Sequence, residues 1–175
     1  LKIGGKTVKF ELMGEDDQAD PKLGPTIAQK FADAKVAGVV GHLNSGVTIP
    51  ASAVYNQAGI PMISGSATNP KLSEQGFKNS FRVVGRDDQQ GLVAANFIVK
   101  NYKGKNVAIL NDKTTYGKGL ADETKKALNK AGMTEKMFES YNKGDKDFNS
   151  IVSRLKRDNI DLVFVGGYHQ EAGLI

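Results

Sequence analysis

The sequence predicts an α/β fold of two Rossmann-like lobes, each a parallel sheet flanked by helices. Three observations carry this reading. Short apolar runs alternate along the chain with segments whose apolar residues recur at helical spacing. Several apolar runs end in a polar corner that contains glycine, and in open α/β sheets ligands sit at such carboxyl-end corners. The order strand, corner, helix occurs on both sides of Gly85. Hydrophobic residues at 39% and charged residues at 25% suit a globular chain, and no apolar run is long enough to span a bilayer. Cysteine is absent, which excludes a disulfide, a thiolate metal site and a cysteine nucleophile within these 175 residues. The net charge of +5 comes with lysines such as Lys125, Lys126 and Lys130 scattered over expected helix faces, so it reads as solvated surface and not as a nucleic-acid stripe.

In chain order, Lys2–Lys6 is turn-like, and the alternation of Thr7–Met13 predicts a strand. Gly14–Asp20 is an acidic loop. Asp20 can cap a helix with Pro21 in its first turn, or the helix begins nearer Pro25, because proline cannot donate to the ladder. Ile27, Phe31 and Ala34 share its apolar face. Val36–Val40 reads as a continuous apolar strand covered by helices on both faces. The next helix opens at Ser45–Pro50, with Ser45 or Thr48 as its cap, and stops at Gly59. Ile60–Ile63 is a short buried strand, and Phe81–Val84 another. Gly85–Asp88 breaks the pattern and predicts a crossover, with a first lobe at 1–84 and a second at 85–175.

Beyond it, Leu92, Ala95, Val99 and Tyr102 line one helix face, ended by Lys103-Gly104-Lys105. Val107–Leu110 is a strand, Asn111–Gly117 a polar corner, and Leu120, Thr124, Ala127 and Ala131 form the face of a helix closed by Gly132. Lys136–Tyr141 reads as a strand. Asp147 can cap a helix bearing Phe148, Ile151, Val152 and Leu155. Leu162–Val165 is the last strand, Gly166-Gly167-Tyr168 its corner, and a helix begins in 168–175.

The corners carry the chemistry. They supply Ser45, Ser64, Ser66, Thr68, Tyr116 and Tyr168, and little charge. His42 has no second histidine within ligand spacing, which favours a structural histidine over a metal ligand. Asp112 is a candidate base, though corner carboxylates more often cap helices. The Gly-x-Ser-x-Gly elbow, the phosphate loop and the Gly-x-Gly-x-x-Gly fingerprint are all missing. Hydroxyls, glycines and tyrosines without a nucleophile–base pair point to binding and not turnover. Ser45 at a helix start suits a carboxylate. The Ser66 carbonyl and the Thr68 hydroxyl suit an ammonium group, and together the corners describe a clamp for an α-amino acid.

Four motifs stand in order at matching separations: Gly41-His42-Leu43-Asn44-Ser45-Gly46, Ile63-Ser64-Gly65-Ser66-Ala67-Thr68-Asn69-Pro70, Asp112-Lys113-Thr114-Thr115-Tyr116-Gly117 and Gly166-Gly167-Tyr168. Together they resemble the leucine/isoleucine/valine-binding proteins of bacterial ABC transporters, which have the type I periplasmic binding fold. The resemblance covers essentially the whole chain. It implies that Ser45 and Thr68 hold the carboxylate and ammonium ends of the ligand. The backbone at Ser66 and Ala67 would assist, and Tyr116 and Tyr168 would close over the ligand from the second lobe. It implies extracytoplasmic, periplasmic capture of a branched-chain or related amino acid for a membrane permease, with no cofactor, metal, catalytic role, nucleic acid or membrane insertion. By the same likeness the first lobe is expected to lack its first strand and helix, and the second to be cut short. An ammonium-pairing carboxylate would then lie outside these residues. Ala19 and Asn44 stand where some members carry a disulfide, and His169 where an aromatic residue is common. The alternatives are a sensor domain on the same fold, binding an amide or amino acid, and an α/β enzyme using Asp112 or His42.

Overall fold

The computed structural model describes residues 1–175. The chain opens with an antiparallel hairpin, β1 (Lys2–Ile3) and β2 (Lys6–Thr7), turned at Gly4 and Gly5, both at positive φ. Thr7–Met13 is not the strand that its alternation predicts. Residues 8–13 have no regular structure, and Leu12 is 95% exposed. Alternation yields a strand only where a neighbour supplies the ladder; Thr7 pairs with Lys2 and Val8 N–H donates to the Leu1 carbonyl at 2.7 Å, but no strand lies beside residues 9–13.

A parallel sheet follows, in the order β3 (Val39–Val40), β4 (Met62–Ser64), β5 (Ser80–Arg82), with Val39 opposite Met62 and Met62 opposite Ser80. Pro61 has no N–H, and β4 starts just after it. Helix α1 (Leu23–Asp33) begins between the two expected starts. Asp20 Oδ1 accepts from the Lys22 N–H at 2.9 Å, and Pro25 falls in the first turn, where its missing donor costs nothing. Gly24 lets α1 lie on α2 (Ser45–Ala58), because a Cβ there would stand 2.9 Å from the Val47 carbonyl oxygen. Between them these helices bury Ile27, Ala28, Phe31, Ala51 and Tyr55 against Val39 and Met62. Gly59 ends α2 in the left-handed conformation expected of a C-terminal glycine.

Val36–Val40 does not have both faces covered. Val39 is in the core, but Val40 is 90% exposed, and Ile63 and Phe81 are also exposed in the neighbouring strands. Helices pack on only one side of this sheet here, so its apolar residues divide by strand parity. The short helix α3 (Lys71–Glu74), which carries no pattern in sequence, buries Leu72 with Ile49 and Ala67.

After β5 the chain passes through residues 83–86 into α4 (Asp87–Asn101). The second sheet is parallel, in the order β7 (Met137–Ser140), β6 (Val107–Asn111), β8 (Leu162–Gly166). Here both faces are covered. Val107 and Ile109 pack with Ala95 and Ile98 of α4 and with Ala121 and Leu128 of α5 (Thr115–Lys130). The alternate residues Ala108 and Leu110 pack with Phe148 and with Ile151 of α6 (Asn149–Arg157). Asp147 Oδ1 accepts from the Asn149 N–H at 2.9 Å, at the start expected for α6. A last short helix, α7 (His169–Ala172), follows β8.

Candidate functional site

The first sheet presents two corners at its carboxyl end. After β3, Asn44 takes extended backbone and becomes the N-cap residue of α2, yet its side chain does not cap the helix. Ser45 is already the first helical residue, and Thr48 turns inward to donate to the His42 and Asn44 carbonyls at 3.1 and 2.9 Å. Neither Ser45 nor Thr48 is the cap that the sequence suggests. The α2 N-terminus is thereby left without a side-chain acceptor, which suits an incoming anion. Ser45 is buried, and its hydroxyl accepts from the Asn69 N–H at 3.2 Å, leaving its proton to donate.

Ser64, at the end of β4, ties the second corner to the first. Its hydroxyl donates to the His42 carbonyl at 3.1 Å and accepts from the Ala67 N–H at 3.0 Å. His42 itself is buried between Asp17 (2.7 Å from Nδ1) and Tyr55 (2.9 Å from Nε2), the structural role expected of a lone histidine. Burial, with Asp17 nearby, pushes the Tyr55 phenol up to about 12. Arg82 of β5 donates to the Asn69 carbonyl at 3.0 Å and holds the far side of the corner.

In the second sheet β6 lies between β7 and β8, so the β6–β7 and β7–β8 crossovers run in opposite directions along the sheet. Tyr116 and Tyr168 stand at the carboxyl ends of β6 and β8, at such a switch point. Asp112 Oδ1 accepts from the Thr114 N–H (2.9 Å) and hydroxyl (2.6 Å), and Thr114 in turn accepts from Gly117 N–H at 2.9 Å to cap α5. Asp112 thus builds the corner. The two tyrosine rings lie 5.4 Å apart, tilted by 44°. Burial raises the pKa of both phenols, so both remain neutral donors.

Ser45, Ser66, Thr68, Tyr116 and Tyr168 line one cavity of about 310 Å³. Ala67 does not line it. Its side chain packs with Ile49 and Leu72, and its N–H is held by Ser64. The Ser66 carbonyl carries no hydrogen bond within the chain, whereas the Thr68 carbonyl accepts from the Asp87 N–H at 3.0 Å. Leu43, Asn44, Gln90, Gly167 and His169 complete the lining. Asn44 lies inside a corner motif and His169 directly follows one, so both could be found from them; Gln90, in α4, has no local signal. Beyond the bonds that Arg86 and Asp87 make to the first half at the crossover, two hydrogen bonds join the halves. Asn44 Nδ2 donates to the Tyr168 hydroxyl at 2.7 Å, and Asn69 Nδ2 to the Thr115 carbonyl at 2.8 Å. No group of three or more histidine, cysteine or acidic side chains is placed to hold a metal ion, and no helix is long and apolar enough to cross a membrane.

Residues 2–175 match the family model described as periplasmic binding protein, and the chain belongs to that family. It is 53% identical over 160 residues to a Leu/Ile/Val-binding protein homolog of Brucella suis, covering 91% of this chain and 43% of the relative. Among solved structures it is similar to an ABC transporter substrate-binding protein from Desulfitobacterium hafniense in complex with Leu (TM-score 0.73, 29% identity, 97% of this chain and 50% of that one). It is also similar to a leucine binding protein from Thermotoga maritima (TM-score 0.83, 26% identity, 91% and 45%). The chain therefore spans about half the length of these relatives.

Proposed function

We propose that this member of the periplasmic binding protein family captures a small α-amino acid, branched and aliphatic, outside the cytoplasm and delivers it to the permease of an ABC transporter. One observation carries the reading: hydroxyl corners from one sheet and tyrosines from another bound a single cavity. Its volume, about 310 Å³, is that of a small-solute site. In this reading the uncapped start of α2 and the Ser45 hydroxyl take the ligand's carboxylate. The free Ser66 carbonyl and Thr68 take its ammonium, and Tyr116 and Tyr168 close from the other side. Residues 1–84 and 85–175 act as two lobes hinged at 83–86. The names of the relatives, which include a Leu/Ile/Val-binding protein homolog and a protein in complex with Leu, support a branched-chain ligand. The chemistry asked of the site is recognition alone.

Calorimetric titration of the full-length protein against leucine, isoleucine, valine, glutamine and aspartate tests the proposal. Saturable one-to-one binding that prefers the aliphatic members is expected. Binding of none of them, or conversion of any of them to a product, would overturn it.

A further inference from the structure

Asp87 is the one carboxylate that the two halves bury directly behind the proposed ammonium pocket. It is the first residue of α4, just past the crossover, and it is fully buried. Its N–H donates to the Thr68 carbonyl, and its Oδ1 accepts from Gln90 Nε2 at 2.9 Å. Thr68 and Gln90 both line the cavity. Asp87 Oδ2 and the Thr68 hydroxyl are both buried without a well-formed hydrogen bond. An unmade bond on a buried polar atom is costly, so two such atoms held side by side call for a common partner or for each other.

We infer that Asp87 is a positioning residue for ligand recognition: it draws the proton of the Thr68 hydroxyl toward itself, so that the hydroxyl lone pairs face the cavity and accept from a ligand ammonium. A hydroxyl has one proton to give and two acceptor sites. With Asp87 ionised behind it, Thr68 presents acceptor character and the pocket carries negative potential. A cationic group is favoured there, and a neutral or anionic one is not. Burial raises the Asp87 pKa, while the Thr68 hydroxyl and Arg82 of β5 hold it down. Asp88 of the same helix and Glu123 of α5 add to the rise, and Tyr116 of α5 feels the Asp87 charge in turn. The inference rests on the reading of the cavity as an amino acid site.

The test uses the full-length protein and two probes with one carbon skeleton, leucine and 4-methylpentanoate, which lacks the amino group. Asp87→Asn keeps the shape but offers an N–H to Thr68, which turns the hydroxyl proton toward the cavity. The expected result is a loss of at least tenfold in leucine affinity, little change for 4-methylpentanoate, and less-than-additive loss when combined with Thr68→Val. The melting temperature at pH 7 holds or rises, because a carboxyl whose folded pKa is raised loses stability as pH climbs and asparagine does not. Asp88→Asn, on the half-buried neighbour that pairs with Arg86 outside the cavity lining, leaves both affinities unchanged. Unchanged leucine affinity in Asp87→Asn, or equal losses for both probes, overturns the inference while leaving the amino acid reading intact. Failure of the wild-type protein to bind leucine overturns both.

Discussion

Ser45 shows how one side chain serves two ends. It accepts from Asn69 N–H and so fixes the second corner, and in the proposed reading its own proton meets the ligand carboxylate at the uncapped start of α2. Ser45→Ala is expected to weaken leucine binding by roughly 1.5–3 kcal/mol, the range for a hydrogen bond to a charged group. Folding stability should fall by only about 1 kcal/mol, the value of one neutral hydrogen bond. Isothermal titration beside thermal melting checks the pair, and a lowered melting temperature with an unchanged dissociation constant would leave Ser45 purely structural. Tyr116 belongs to the other side. Its ring lies against Tyr168 and lines the cavity, so Tyr116→Ala should speed ligand release more than it slows capture, measurable by stopped flow. An unchanged off-rate would confine Tyr116 to packing within its own half. At this scale the sequence is informative where a residue follows an apolar run into a glycine corner, as Ser45, Thr68, Tyr116 and Tyr168 do. Asp87 and Gln90 are not legible that way. In sequence Asp87 is one of two acids at a helix start, and only the tertiary approach of Thr68 singles it out.

At the scale of elements, the position of α5 is set by glycine. A Cβ at Gly117 would lie 2.5 Å from the Gly166 carbonyl oxygen and would also collide with Asp112, so the first turn of α5 rests directly on the end of β8. This contact brings the Tyr116 and Tyr168 corners together. Gly117→Ala is expected to destabilise the protein by about 1–3 kcal/mol, the usual effect of overpacking. It should also weaken ligand binding by displacing Tyr116, which chemical denaturation and titration measure separately. Full retention of both would mean that α5 can shift without consequence. The second sheet is readable from sequence because β6 and β8 are apolar on both faces and α5 and α6 carry clear apolar stripes. The first is read less well. Thr7–Met13 alternates like a strand but has no strand to pair with from residue 9 on, and Val40 is apolar without being covered. Patterning reports what a segment could bury, and whether a partner is there to bury it is decided elsewhere in the fold. The cap of α2 is misread for a related reason: Asn44 spends its side chain on Tyr168, more than a hundred residues away.

For the whole molecule, the halves meet in a closed arrangement. Asn44 and Asn69 bond across to Tyr168 and Thr115, beside a cavity lined from both sides. A ligand touching both sides favours this state over any open one by its differential affinity for the two. Hinge closure around a solute at residues 83–86 is then the expected motion. The most direct measurement is the distance between spin labels on the full-length protein at Gln57→Cys and Lys130→Cys, exposed sites on α2 and α5, with no native cysteine among these residues to interfere. Without ligand the distance distribution should extend beyond the closed value. Saturating leucine should narrow it to the single short distance of the closed form, and Ser45→Ala should require more leucine for the same change. Saturable leucine binding that leaves the distribution untouched would contradict the two-sided clamp.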